Sequence, residues 1–173
     1  MRAVFYTSGW ESILKNLKAG DLYNIDGKDT ETLKLKLREL ASDGIKELFI
    51  FGDCEPLETF GKEGVFIITD HINASGDNPL IGANDDSVGP RFPDMTFAYS
   101  EKLTSELKNF LKSSGISFTK TVLYGADYSP DSPAELERLR ILNCTVRDKT
   151  VVWLDILARH AGIEVGAAVR TIG

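Results

Sequence analysis

The sequence predicts a single α/β domain in which helices flank a mixed, largely parallel central sheet. Short apolar runs typical of buried strands alternate with longer segments whose apolar residues recur at helical spacing. The same Gly-Ile junction stands between a helical segment and a strand-like segment at three places. The chain has 173 residues, of which 42% are apolar, so it can bury a substantial core. We therefore expect residues 1–173 to form one domain.

The strands are expected near residues 3–6, 47–51, 64–69, 120–125 and 163–171. The helices are expected over residues 11–19, from Asp29 or Thr30 to Gly44, and over residues 100–113, 133–142 and 151–161. Leu33, Leu37 and Leu40 place one face of the second helix in the core. Pro133 suits the first turn of the fourth helix. Residues 151–161 are apolar nearly all round, which predicts a well-buried helix.

The recurring junctions are Gly44-Ile45, Gly115-Ile116 and Gly162-Ile163. At each of them glycine can adopt the left-handed conformation that ends a helix, and isoleucine can begin a strand in the core. Repeated use of one helix-to-strand turn favours helices that pack on a largely parallel sheet.

Composition and charge exclude several classes of protein. The sequence has 20 Lys and Arg and 26 Asp and Glu, which gives a net charge of −6. It contains no block of basic residues of the kind that binds nucleic acid. No apolar run approaches the length of about 18 residues that a membrane-spanning helix needs. The first residues do not resemble a secretion signal. Cys54 and Cys144 are too few for a disulfide scaffold or a cysteine-based zinc site, so we expect reduced thiols in a cytoplasmic protein.

Residues 70–99 form a long segment rich in Gly, Pro and Asn between two predicted elements. A loop of this length inside a compact domain usually serves a function or an interface. Its turn-forming residues indicate a defined conformation. From Asp70 to Met95 it resembles the pattern D-H-I-N-x-x-G-x-N-P-L-x-G-x-N-D-x-x-x-G-x-R-F-P-x-M of the trimeric purine nucleoside phosphorylases.

Other segments resemble the same family less closely. Thr7-Ser8-Gly9-Trp10 stands at the place of the phosphate loop G-S-G-L, and Gly20–Gly27 resembles G-R-F-H-x-Y-E-G. Phe51–Glu55 stands at the place of T-N-A-A-G, and Gly125–Glu135 resembles G-P-x-F-E-T-P-A-E with two extra residues. Ala158–Gly162 matches A-R-H-x-G. Family members are longer, and from the resemblance we expect residues 1–173 to include no counterpart of their C-terminal lid region.

The resemblance implies phosphorolysis of purine nucleosides to base and pentose 1-phosphate, with phosphate as co-substrate, no cofactor and a homo-oligomer of three subunits. Ser8 and Thr150 correspond to phosphate-binding residues, although each is also a candidate helix N-cap. Phe92 corresponds to a residue that packs on the ribose of a neighbouring subunit; burial within its own subunit is the alternative.

The base site matches less well. The family's glutamate, which acts as the acid toward the purine, falls on Asp131 or Ser129. Tyr128 takes the place of the phenylalanine that stacks on purine, and the base-binding asparagine falls on Gly173.

The charges argue against tight phosphate binding. The family's phosphate-binding arginine falls on Asp21 and its histidine falls on Tyr23. The backbone turn that binds phosphate falls near Asp53, with Glu55 beside it. Like charges about 4 Å apart in a partly buried site cost several kcal/mol.

Two functions therefore stay open: a phosphorylase-like enzyme whose activity is weak or lost, and a non-catalytic nucleoside-binding or interface subunit that assembles with itself or a full-length relative. His71 is expected to pin the loop, and His160 to interact with a helix C-terminus. Asp53-Cys54-Glu55 and Asp85-Asp86 are too sparse for a metal site.

Overall fold

A mixed sheet of seven strands forms the centre of the computed structural model, which describes residues 1–17, 20–58 and 61–172. The strands are β1 (Arg2–Tyr6), β2 (Asp21–Asn24), β3 (Glu47–Pro56), β4 (Val65–Asn73), β5 (Thr119–Gly125), β6 (Cys144–Arg147) and β7 (Glu164–Thr171). The helices are α1 (Glu11–Leu14), α2 (Thr30–Ser42), α3 (Glu101–Ser113), α4 (Pro133–Ile141) and α5 (Lys149–His160). A short 3₁₀ turn, Ser8–Trp10, precedes α1.

The strand order is β2-β1-β3-β6-β5-β4-β7, and β7 also pairs with β3, so five strands close into a barrel. Neighbouring strands are parallel except in the pairs β3–β6 and β4–β7. The prediction of a mixed, largely parallel sheet flanked by helices is confirmed. Closure into a barrel is a feature that the sequence analysis did not predict.

Strand β3 changes its neighbour partway along its length. One edge pairs with β7 from Glu47 to Cys54, while the other edge pairs with β1 only as far as Phe51 and with β6 only from Glu55. We call residues 52–54 the branch point of β3. The Thr7 amide donates to the Phe51 carbonyl at 2.9 Å, and the Trp10 indole N–H donates to the Gly52 carbonyl at 3.0 Å. These bonds satisfy carbonyls where the ladder to β1 has ended.

In the described part of the chain, three apolar clusters pack on the sheet. The largest joins α2 and α5 to one set of strand side chains, and a second joins α3, Trp10 and Leu14 to another set. A third joins Leu139 of α4 to Tyr124 of β5 and Cys144 of β6. Helix α5 is buried over most of its surface, as its composition predicts.

The three Gly-Ile junctions are confirmed as one recurring turn. Gly44, Gly115 and Gly162 have φ of +80°, +72° and +69°. Each following isoleucine amide donates at 2.9 Å to a carbonyl in the last helical turn. This left-handed ending satisfies carbonyls that a helix C-terminus otherwise leaves unpaired.

Several elements differ in extent from the prediction. The helix expected over residues 11–19 is limited to α1, which ends at Leu14, and residues 18 and 19 lie outside the described part. Strands β2 and β6 were not predicted. Asp29, and not Thr30, caps α2, because its carboxylate accepts from the Thr32 amide at 2.7 Å.

Candidate functional site

A cleft opens at the branch point of β3, where the carboxyl ends of β1, β5, β6 and β7 meet the amino end of α5. It consists of two adjoining hollows of about 280 and 200 Å³. Asp53 and Asp148 line both; the larger also has Glu55, Asp127, Arg147 and Lys149, and the smaller has Thr7, Asp26, Lys28 and Thr150. We call this site the acidic cleft.

Ser8, predicted to bind phosphate, stands beside the cleft with its donors already engaged. Its amide and its hydroxyl both donate to the same carboxylate oxygen of Asp26, at 2.9 and 2.5 Å. The Asn24 amide group donates to the Ser8 hydroxyl at 2.9 Å. The bond from the Ser8 hydroxyl lowers the pKa of Asp26, which keeps this carboxylate charged. Ser8 does not act as a side-chain N-cap, since its hydroxyl is used in this network.

Most cations at the cleft are neutralised by carboxylates. Arg170 binds Asp53 at 2.8 Å, Arg147 binds Glu55, and Lys149 binds Asp127. Asp53 and Glu55, which were expected to repel phosphate, are thus each paired with an arginine.

Arg170 reaches the phosphate-loop position from the end of β7. A β-carbon at Gly9 would lie 1.4 Å from a terminal nitrogen of the Arg170 guanidinium. The guanidinium therefore occupies its place only because residue 9 is glycine.

Asp21 is remote from this arrangement. It is exposed at the start of β2, in register with Ala3, whereas the carboxyl end of β1 pairs with Asn24. The negative charge at the Ser8 turn comes instead from Asp26.

Asp148 occupies a central position in the cleft. Its Oδ1 accepts from the Val151 amide at 2.6 Å, so Asp148 is the N-cap of α5. Thr150 lies inside the first turn and is exposed at the smaller hollow, which makes its predicted N-cap role wrong. Burial raises the pKa of Asp148 to about 6, the Val151 bond opposes this shift, and Asp127, Asp53 and Glu55 add to it. Among the described residues no cation lies within ion-pair distance of Asp148.

The two residues predicted at the base site lie in the segment that follows β5. Tyr128 is 55% exposed, packs edge-on against Tyr124 and donates weakly to the Ala74 carbonyl at 3.4 Å. Asp131 is exposed just before α4, and Ser129 accepts from the Glu58 amide. Gly173, the position of the missing base-binding asparagine, lies outside the described residues.

Phe92 belongs to a different cavity. A space of about 370 Å³ lies between the end of β4 and the long loop, and we call it the loop cavity. His71, Arg91, Phe92, Met95 and Ile156 are among the residues that line it. Phe92 is 84% exposed, so the alternative that it is buried within its own chain is wrong.

A buried polar cluster underlies the loop cavity. His71 Nδ1 lies 3.2 Å from the Tyr99 hydroxyl and 3.5 Å from a carboxylate oxygen of the fully buried Asp155. Burial raises the pKa of Asp155 well above its usual value and lowers that of His71. These contacts agree with a structural role for His71 in fixing the loop.

His160 likewise contacts the loop. Its Nε2 lies 3.2 Å from the Asn84 side-chain oxygen, and burial lowers its pKa. The interaction expected with the helix C-terminus needs the charged ring, which this environment disfavours.

Sequence reasoning missed three residues of the cleft. Asp26 and Asp148 each precede a turn or helix and read as ordinary polar loop positions. Arg170 lies 117 residues from its partner Asp53, so no local pattern could connect them. In the part of the chain that the structure describes, no group of three His, Cys, Asp or Glu side chains could hold a metal ion. None of the helices in the described ranges has the length and apolar character needed to span a bilayer.

The chain is similar to known proteins of one family. A family model described as "Phosphorylase superfamily" matches residues 37–173. Purine nucleoside phosphorylase 1 of Geobacillus stearothermophilus is 34% identical over 149 residues, which cover 84% of this chain and 54% of that protein. Its namesake in Bacillus subtilis is 33% identical over 150 residues, which cover 84% of this chain and 55% of that protein. The chain thus spans about half the length of these relatives.

Solved structures share the fold. Schistosoma mansoni purine nucleoside phosphorylase in complex with adenosine superposes with a TM-score of 0.75 at 20% identity, over 98% of this chain and 75% of that one. The inosine complex of that enzyme has the same TM-score and coverage at 21% identity. From the family model and the two bacterial relatives, we conclude that this chain belongs to the phosphorylase superfamily and, within it, to the purine nucleoside phosphorylase family.

Proposed function

We propose that this chain binds purine nucleosides in the acidic cleft and breaks their N-glycosidic bond, with phosphorolysis to base and pentose 1-phosphate slow because phosphate is held poorly. The observation that carries the proposal is a cleft at the carboxyl ends of the strands in a member of this family. Structures of the Schistosoma mansoni relative contain adenosine, inosine or hypoxanthine, which supports a purine ligand. No cofactor is needed, since phosphate is the only co-substrate of this reaction.

The proposed roles follow the chemistry of the reaction. Ser8 and Thr150 would hold phosphate through their hydroxyls, and Asp131 would act as the carboxylic acid toward the leaving purine. Tyr128 would cover the purine face. Slow phosphorolysis is expected because Asp26 already accepts both Ser8 donors and adds a negative charge where a dianion would bind.

The deciding experiment measures release of hypoxanthine from inosine and of guanine from guanosine while phosphate is titrated. We expect nucleoside binding by calorimetry and slow turnover that does not saturate at millimolar phosphate. Asp21→Ala, a change at an exposed carboxylate outside the cleft, serves as the control and should behave like the parent. Absence of both nucleoside binding and base release would contradict the proposal.

A second proposal concerns assembly, and exposed apolar side chains on the long loop favour it. Ile81, Phe92 and Phe97 are 70%, 84% and 73% exposed. Ile81 and Phe92 line the same cavity, and exposed apolar side chains placed close together are typical of an interface. We propose that this surface contacts a second copy of the chain in a homo-oligomer of three subunits, in which Phe92 reaches the ribose bound by its neighbour.

The partners and the compartment proposed for this protein follow from its net charge and from its two unpaired cysteines. The net charge of −6 disfavours a nucleic acid or an anionic membrane as partner. Cys54 and Cys144 are buried and unpaired, and burial raises the pKa of both thiols. Unreactive thiols of this kind are usual in the cytoplasm, which is the compartment we propose.

A further inference from the structure

We infer that water, and not phosphate, is the principal acceptor of the glycosyl group in the acidic cleft, with Asp26 excluding phosphate and Asp148 taking the proton from the attacking water. The inference rests on the proposed function, because it assumes that a purine nucleoside binds in this cleft. It adds a hydrolytic activity that phosphorolysis does not include.

The first step of the argument is that the anion position is filled. A phosphate oxygen at the Ser8 turn would need the Ser8 amide and hydroxyl as donors, and both already donate to one oxygen of Asp26. Asn24 holds this arrangement, since its side chain donates to the Ser8 hydroxyl and accepts from the Asp26 amide at 2.8 Å. A phosphate dianion would have to displace a carboxylate that is fixed in place and charged.

The second step is that the nearby arginines are engaged. Arg170 and Arg147 bind Asp53 and Glu55, so neither guanidinium contributes a full positive charge to an incoming anion. Lys28 lines the smaller hollow, but Asp26, Asp53 and Asp148 line the same hollow. The balance of charge there favours a neutral acceptor over a dianion.

The third step is that Asp148 is suited to accept a proton from water. It lines both hollows, and its Oδ1 is held by the Val151 amide, which fixes the direction of the carboxyl group. Among the described residues it lacks the cation partner that Asp53 and Glu55 have. A general base works best when its pKa lies near the working pH, and the environment of Asp148 raises its pKa to about 6.

The reaction balances without a further reagent. The water oxygen forms a bond to the anomeric carbon as the bond from that carbon to the purine nitrogen breaks. The electron pair of the broken bond leaves with the purine. Asp131 donates a proton to the purine, and the proton that Asp148 takes from the water returns through solvent to Asp131, so that ribose and free base are the products.

The test follows inosine in phosphate-free buffer made with heavy-oxygen water. We expect hypoxanthine release without phosphate, at a rate that millimolar phosphate raises only slightly, and free ribose that carries the heavy oxygen as the main sugar product. Asp148→Asn keeps a helix N-cap but cannot accept the proton, so the rate should fall by about a hundredfold. Inosine affinity should stay unchanged, which a merely misfolded variant would not show. Asp21→Asn, prepared in parallel, should behave like the parent, whereas activity from a contaminating host enzyme would persist in Asp148→Asn.

A second variant tests the exclusion of phosphate. Asp26→Ala leaves the Ser8 donors unengaged, so in the presence of phosphate part of the product should become ribose 1-phosphate. If cleavage by the parent protein requires phosphate, the inference is wrong while the proposed function stands. If inosine binds but is not cleaved with or without phosphate, both the hydrolysis and the proposed bond cleavage are wrong. If inosine does not bind, the proposed function fails and the inference fails with it.

Discussion

One carboxylate oxygen of Asp26 accepts both the amide and the hydroxyl of Ser8, at 2.9 and 2.5 Å. These are the groups that the sequence assigns to phosphate. The chain therefore supplies its own negatively charged ligand to the turn that follows β1. The relationship spans 18 residues and joins the end of β2 to the end of β1.

Asp26→Ala should increase the affinity for inorganic phosphate. The change removes a negative charge in direct contact with Ser8 and returns two donors to the anion. A gain of about 1.4 kcal/mol or more corresponds to at least about tenfold in the dissociation constant. Isothermal titration with phosphate measures it. Asp21→Ala, at the start of the strand that precedes the Asp26 turn, is the matched control, and an equal gain in that variant would show that general charge, and not the Ser8 contact, limits binding.

Asp155 should make stability depend on pH. Burial raises its pKa in the folded state above the unfolded value of 3.8, so the folded state retains a proton that the unfolded state has lost. Stability is then greatest below about pH 4 for this group and falls as pH rises through the folded pKa, by up to about 1.4 kcal/mol for each pH unit. His71 acts oppositely, because its lowered pKa costs stability as pH falls below about 6.5.

Asp155→Asn separates the two effects. Urea unfolding at a series of pH values should give a flatter curve for this variant on the alkaline side, while the loss on the acidic side persists. A parent protein whose stability does not change as pH rises from 4 to 8 relative to the variant would contradict the assigned direction.

Gly89→Ala should destabilise the contact between the long loop and the end of α5. A β-carbon at residue 89 would lie 1.8 Å from the backbone carbonyl oxygen of His160, which cannot rotate away. The loop would have to shift, at a cost of about 1–3 kcal/mol by analogy with overpacked cores. Thermal unfolding measures the loss. Ala83→Ser, at an exposed position of the same loop, should leave the midpoint unchanged.

Phe92→Ala combined with Phe97→Ala should weaken self-association. Both rings are exposed and belong to the proposed contact. Replacing them with alanine removes apolar area that the contact would bury. Sedimentation velocity should show a trimer for the parent protein at micromolar concentration and a shift toward monomer for the double variant. Leu35→Ala, which changes an exposed leucine on α2, is the control. A parent protein that is monomeric would contradict the assembly.

The framework could be predicted because its signals are local. Asp29, the apolar stripes and the Gly-Ile junctions act within a few residues, so helix ends and buried strands follow from the sequence. Strand β2 was missed because its four residues are exposed or half-buried and show no apolar run. Strand β6 also has only four residues, and it is defined by pairing with β5 and β3.

The candidate site was less predictable because its contacts are distant in sequence. The pairs Arg170–Asp53 and Arg147–Glu55 join residues 117 and 92 positions apart. From the sequence, the carboxylates at residues 53 and 55 were expected to repel phosphate. In the fold, each of them is paired with an arginine. Ser8, Thr150, Tyr128, Asp131 and Phe92 keep their assigned roles as proposals for binding experiments.

At the branch point of β3, the groups that hold the strand differ from the groups that are proposed to carry out the reaction. Where β3 separates from β1, the Thr7 amide and the Trp10 indole donate hydrogen bonds to backbone carbonyls of β3. The carboxylates of Asp26, Asp53 and Asp148 bond to side chains and to amides of a turn and a helix end, and none of them takes part in a backbone ladder between strands. Substitutions at residues 26 and 148 can therefore alter which acceptor the cleft admits while every hydrogen bond of the strand ladders is retained.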